Sequence, residues 1–199
     1  MPETPPQLQA QEVPLPDCVR VTHAGANLVL EIRWFDGSYV FMLAALILWA
    51  CFAVLWLSLK LVIPPVFPRL RFEFLLPLIT LVFAPKLVYS TLAGFLNRTR
   101  VTIGDGAVDV RHGPVPWLGS KRVEAIDIAQ VFGEQVRLRG NFMYRVEALT
   151  QQGRRIRLVS PVARRDVALY LEQEIEKALG IKDEEMPYEL KRQPPPRTF

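Results

Sequence analysis

Two long apolar runs interrupt an otherwise mixed pattern of hydrophobic and polar positions along the chain. Residues 39–59 contain no charged side chain, and residues 74–96 contain one, Lys86. At about 1.5 Å of rise per residue, either run as a helix spans the hydrocarbon layer of a bilayer, roughly 30 Å thick. The pattern predicts transmembrane helices at 39–59 and 74–96, joined through a loop at 60–73 into a membrane hairpin. Pro64, Pro65 and Pro68 stop the first helix and stiffen the turn, while Lys60, Arg69 and Arg71 hold it at the surface. Trp34, Phe35 and Tyr39 lie where the first helix begins, and their amphipathic rings favour the headgroup level. Pro77 and Pro85 predict bends in the second helix. Ser90 and Gly94 place small residues four apart for close helix approach, with Ala50 and Ala53 of the first helix as candidate partners.

On both sides of the apolar pair the period changes to two. Residues 19–23 and 27–34 alternate, with Leu28, Leu30, Ile32 and Trp34 on one face and Val29, Glu31 and Arg33 on the other, and Ala24-Gly25-Ala26 predicts the hairpin between them. A lone two-stranded hairpin is marginal in water, so these strands are expected to join a sheet built from residues beyond the helices. The hairpin at 19–35 then belongs to the later β-domain, and the membrane helices are an insertion within one fold. Segments 100–103 and 107–112 flank Gly104-Asp105-Gly106, a composition suited to positive φ. Further strands are expected at 122–128, 131–139, 142–150 and 154–160, and the short links make the sheet antiparallel. Ser160-Pro161 predicts a helix start and Gly180 its end, for a helix over 161–179. Val167, Tyr170, Leu171, Ile175 and Ala178 supply its apolar face, which closes the sheet of a domain over 97–181. The proline-rich residues 1–18 and the charged, proline-rich residues 182–199 are expected to be disordered tails. The expected fold class is thus an α+β membrane protein: a two-helix transmembrane hairpin plus an antiparallel β-rich domain closed by one C-terminal amphipathic helix.

Charge and cysteines narrow the function classes. The net charge of +4 in 199 residues is too small to imply nucleic acid. Its surplus lies after Leu96, where anionic headgroups beside the anchor are the natural partner. Cys18 and Cys51, the only cysteines, provide neither a disulfide framework nor a four-cysteine metal site. The first apolar run starts too late for a secretory signal, so the N-terminal segment is expected to persist. Arg20, Arg33, Arg98, Arg100 and Arg111 flank the ends of the helix pair against Lys60, Arg69 and Arg71 in its turn, a bias that favours cytoplasmic termini.

Short meandering strands ending in one amphipathic helix, directly after membrane helices, resemble the bacterial pleckstrin-homology-like (PH-like) domains of membrane-tethered proteins. Three motifs, Arg33-Trp34-Phe35, Thr91-Leu92-Ala93-Gly94-Phe95-Leu96-Asn97-Arg98-Thr99 and Arg111-His112-Gly113-Pro114-Val115-Pro116-Trp117, are similar to those of a group of uncharacterised two-pass bacterial membrane proteins carrying such a domain. The resemblance runs over about residues 19–181. It implies a PH-like fold and anchoring in the bacterial inner membrane, and it names no chemistry.

Candidate sites are few. Lys86 at mid-membrane depth costs about 2.5 to 3.5 kcal/mol on insertion scales and marks a functional position, with Ser90 one turn on. A desolvated lysine beside a serine makes an activated nucleophile; the plainer reading has Lys86 snorkel or line the helix pair. Lys121, Arg122, Arg137, Arg139, Arg145, Arg154, Arg155 and Arg157 bind phosphate headgroups if they converge, and are otherwise solvated strand faces. His23 and His112, the only histidines, lack metal-ligand spacing, so no metal and no cofactor is expected. Asn97-Arg98-Thr99 matches a glycosylation acceptor but reads better as a junction from helix to strand. Trp117 is either an exposed anchor or cover for a sheet end.

The expected function is a non-enzymatic, membrane-anchored binding or assembly module. Its partners are the lipid bilayer, its anionic headgroups, other membrane proteins or a second copy of the chain. The alternatives are a membrane-embedded hydrolase using Ser90 and Lys86, and an accessory subunit of a transport complex in which Lys86 faces a polar cavity.

Overall fold

A computed structural model of the chain describes residues 13–62, 75–138, 141–181 and 190. Residues 1–12, most of the connecting loop with Pro64, Pro65, Pro68, Arg69 and Arg71, Arg139, and the remaining residues after Ile181 lie outside the described residues. The architecture is α+β with antiparallel sheets. In order it runs β1 (Val19–Ala24), β2 (Asn27–Arg33), α1 (Gly37–Val62), α2 (Leu75–Leu96), β3 (Arg98–Gly104), β4 (Ala107–Gly113), β5 (Lys121–Glu124), β6 (Ile128–Leu138), β7 (Asn141–Thr150), β8 (Arg155–Val162) and α3 (Arg165–Leu179).

The chain divides into two compact units. The first comprises Met1–Ile32, Thr99–Arg111 and Gly119–Phe199. It holds a five-stranded sheet in the order β1-β2-β3-β4-β5 and a three-stranded sheet β6-β7-β8. β2 and β3 are neighbours although the two helices separate them in sequence, so the N-terminal hairpin joins the later strands as its alternation requires. Leu28, Leu30 and Ile32 are buried in a core shared with Val101, Val108, Val146, Leu158 and Ile175. Asp105 at φ 50° and Gly106 at φ 68° make the two-residue turn between β3 and β4, the left-handed pair that matches the twist of a tight hairpin.

The structure departs from the sequence pattern at four places. Residues 122–128 are not one strand: β5 ends at Glu124, a 3-10 turn covers Ala125–Asp127, and β6 starts at Ile128. The backbone groups of that corner are claimed elsewhere. Ala125 N–H donates to the Gly106 carbonyl at 2.7 Å, and the Asp127 carbonyl accepts from Gln151 N–H at 2.9 Å. The corner is why there are two sheets where the short links predicted one.

Ser160-Pro161 is not a helix start. Val162 pairs with Tyr144 and keeps both residues in β8, where a proline is tolerated because β8 is an edge strand. The helix begins at Arg165 and ends on Gly180 in the left-handed conformation at φ 67°.

On α3, Ala178 is exposed while Glu172 and Glu176 are buried. The Glu172 carboxylate accepts the Gly133 N–H at 2.6 Å.

Finally, the described residues of the expected tails are ordered against the first unit. Val13 N–H donates to Gln173 Oε1 on α3 at 2.9 Å. Leu190 is buried and its N–H donates to the Gly133 carbonyl at 2.9 Å. Gly133 lacks a side chain because a β-carbon there would lie 2.8 Å from Glu172 Oε2 and 3.1 Å from Leu190.

The second unit comprises Arg33–Arg98 and His112–Leu118. Asp36 opens α1: its carbonyl accepts from Tyr39 N–H at 3.0 Å and its carboxylate from the Ser38 hydroxyl at 3.0 Å. The helix starts two residues earlier and ends three later than the apolar run. Among the described residues, Gly37–Leu59 is long and apolar enough to cross a membrane, and the apolar part of α2, Val82–Leu96, is shorter.

Candidate functional site

Among residues 37–59 of α1, the half-buried positions are Tyr39, Met42, Leu46, Trp49, Ala53 and Trp56. They repeat at intervals of three and four, the spacing of a single helix face, and α2 is the helix that packs against α1. Gly94 of α2 accepts the Tyr39 ring, since a β-carbon at Gly94 would stand 2.1 Å from Tyr39 Cε1. The small residue at Gly94 thus admits an aromatic ring; of the expected partners, Ala53 lies on the half-buried face of α1 and Ala50 is exposed. Phe95 packs on Phe35 and Tyr39, with ring centroids 5.4 and 6.3 Å apart.

The base of the helix pair is built around Asn97, which is 2% exposed. Its N–H continues α2 by donating to the Ala93 carbonyl at 2.8 Å, and its carbonyl accepts from Trp34 N–H at 3.3 Å. Its side-chain amide faces the backbone of Val115. Nδ2 donates to the Val115 carbonyl at 3.0 Å and Oδ1 accepts the Val115 N–H at 2.7 Å. The amide therefore pairs with the loop backbone as a strand neighbour would, using both its donor and acceptor ends. This is the junction that Asn97-Arg98-Thr99 predicted, and an amide so buried and engaged is closed to glycosylation.

The same loop carries Trp117, which meets Trp34 edge to face at 5.2 Å and stacks on Tyr89 at 6.0 Å with planes 7° apart. The Tyr89 hydroxyl donates to the Pro116 carbonyl, and His112 packs on Trp34 with centroids 5.5 Å apart. Each aromatic pair contributes about 0.5 to 1.5 kcal/mol beyond its burial. The motifs at 33–35, 91–99 and 111–117 thus meet at one place. Their sequence separation hid the meeting; the signal for it was the concentration of rings and one amide at the ends of apolar runs.

Lys86 and Ser90 occupy successive turns of α2, Lys86 exposed and Ser90 half-buried. Lys86 Nζ and Ser90 Oγ are not hydrogen-bonded to each other in this structure.

The predicted basic set is dispersed. Arg145 Nε donates to Glu134 Oε2 at 2.8 Å and lies 2.9 Å from Glu147 Oε1, so two carboxylates already hold that guanidinium. Arg122 pairs with Glu124 at 3.2 Å. Arg137 lies over Phe142 near the β6–β7 turn, and Arg155 over Phe132. Arg154 is exposed on the β7–β8 connection. Lys121 of β5 donates to the Arg157 carbonyl of β8. Burial, then the nearby Arg157 charge, pushes the Lys121 ammonium below its ordinary range. Arg155 and Arg157 share one face of β8 by the two-residue period. Lys121 and Arg157 are the pair of the set that the structure brings into contact, and they sit on edge strands, where charge discourages pairing with another chain.

The described residues contain no group of three or more His, Cys, Asp or Glu that could hold a metal. A cleft of about 560 Å³ in the first unit is lined by His23, Leu28, Ile103, Glu174, Lys177 and Leu179 together with glycines and alanines. Cys18 is half-buried, and burial pushes its thiol above the ordinary range, ahead of the opposing effect of Arg164. The raised thiol is a poor nucleophile at neutral pH.

No family model matches the chain, and no curated protein matches it closely enough to count as a relative.

Proposed function

We propose that this chain is a two-pass membrane protein whose PH-like β-module serves non-enzymatic binding or assembly. The observation that carries the reading is the bare outer surface of α1. Phe41 is 79%, Leu48 73% and Val54 66% exposed, and large apolar side chains from Val40 to Leu59 stand exposed with them. Leaving one such side chain in water forfeits about 1.5 to 3 kcal/mol, so a handful is comparable to the roughly 5 to 15 kcal/mol that holds an ordinary domain together. Lipid as the solvent removes that penalty. α2 returns the chain across the bilayer with Trp34, just before α1, at the headgroup level, where amphipathic rings are favoured. Two packed sheets closed by one C-terminal helix support the PH-like reading, as does the similarity of the three motifs that meet at Asn97. The inner membrane of a bacterium, with both termini in the cytoplasm, follows from that similarity and the arginine bias.

Cys51 provides the test, because it is exposed midway along α1. In a Cys18→Ser background in intact membranes, a charged, membrane-impermeant maleimide is expected to leave Cys51 unlabelled until detergent is added. Rapid labelling without detergent would place α1 in water and end the proposal.

A further inference from the structure

Lys86 stands ten residues before the end of α2 at Leu96, which at about 1.5 Å per residue sets it about 15 Å from that end. In the two-pass arrangement proposed above, on which this inference rests, that is the middle of a hydrocarbon layer roughly 30 Å thick. Lys86 is exposed there, flanked by Val82 at 66%, Phe83 at 58% and Tyr89 at 43% exposure. A bare ammonium at that depth costs about 2.5 to 3.5 kcal/mol and calls for a partner. Neither helix supplies one. From Gly37 to Gly104 the chain's only acidic residue is Glu73, which lies before α2, and neither α1 nor α2 contains an Asp or Glu. A second copy would bring to this face only another lysine, a like charge in a medium that strengthens repulsion.

We infer that the Lys86 face of α2 docks a transmembrane helix of a different protein, one that presents a carboxylate at mid-membrane depth. Charge complementarity selects that occupant over a second copy. The neighbouring Val82 and Phe83 supply the apolar contact. The carboxylate and ammonium satisfy each other where no water can, which makes the contact specific for one orientation and depth.

The test uses the full-length chain in its native membranes, with the photo-crosslinking residue p-benzoylphenylalanine placed at Phe83. The expected adduct joins a transmembrane peptide that contains Asp or Glu. Lys86→Met is expected to reduce it about tenfold, equivalent to about 1.4 kcal/mol, while Lys86→Arg retains it. Lys86→Glu is rescued by changing the partner's carboxylate to lysine. Crosslinking to a second copy, to lipid alone, or to a peptide without a carboxylate overturns the inference, as does an adduct indifferent to Lys86→Met. A Lys86→Cys variant separates this failure from that of the membrane reading. If an impermeant maleimide labels it without detergent, the helix is in water and both fall; if it stays unlabelled and no Lys86-dependent adduct forms, the membrane reading stands and the partner is rejected.

Discussion

Replacing Asn97 by Asp lowers the thermal midpoint of the detergent-solubilised full-length protein by about 5 to 10 °C. The change keeps size and shape but removes the donor that holds the Val115 carbonyl at 3.0 Å. The new carboxylate oxygen then faces that carbonyl inside a site where Asn97 is 2% exposed. An unsatisfied buried polar group costs about 1 to 3 kcal/mol, and more when charged; each kcal/mol moves the midpoint of a chain of this size about 2 to 4 °C. Trp117 reports the same event locally, because releasing Val115 frees the loop that stacks it on Tyr89, and its fluorescence is expected to shift. A midpoint and emission equal to the parent's would show that the amide does not hold the loop.

Gly94→Val is expected to cost about 2 to 3 kcal/mol, in the upper part of the range for overpacking a filled site. A β-carbon at Gly94 would stand 2.1 Å from Cε1 and 2.3 Å from Cδ1 of Tyr39. The ring must swing away, giving up its contact with Phe95. The decisive measurement is a double-mutant cycle, since residues in direct contact couple while distant ones add. In a Tyr39→Ala background the same Gly94→Val change is expected to cost under about 1 kcal/mol by chemical denaturation in detergent. An equal cost in both backgrounds would mean that the valine is resisted by something other than the ring.

The legibility of this chain follows the range of the forces involved. The alternation of Leu28, Leu30 and Ile32 announced a half-buried strand, and those residues are buried. Asp105-Gly106 and Gly180 were readable because a left-handed backbone position selects residues by local sterics. Local signals failed where a distant group outbid them. Residues 122–128 have strand composition throughout, but Gly106 and Gln151 take the backbone of the corner and turn the chain into a second sheet. Ser160-Pro161 has the chemistry of a helix start, yet pairing with β7 holds it extended. Leu190 sits among charged and proline residues and looked like tail; its burial depends on a gap at Gly133, fifty-seven positions earlier, that no local window contains.

The site shows the same division. Its residues were legible as motifs and as aromatic rings at the ends of apolar runs, but their assembly was not. The Asn97 amide pairs with Val115 across eighteen positions, and Trp34 meets Trp117 across eighty-three. Side-chain hydrogen bonds and ring contacts leave no periodic trace, so nothing in the pattern linked them. The basic residues failed in the other direction: a count of arginines reads as a surface, whereas the structure assigns Arg145 to Glu134 and Glu147 and Arg122 to Glu124.

The proposed anchor requires lipid around α1. Its most direct measurement is the distribution of the untagged full-length chain after cell membranes are stripped with alkaline carbonate and pelleted without detergent. The protein is expected wholly in the pellet, and to leave it only when detergent is added. Recovery in the supernatant would mean that the apolar surface from Val40 to Leu59 is covered by protein or water, and would contradict the anchor and the partner at Lys86 together.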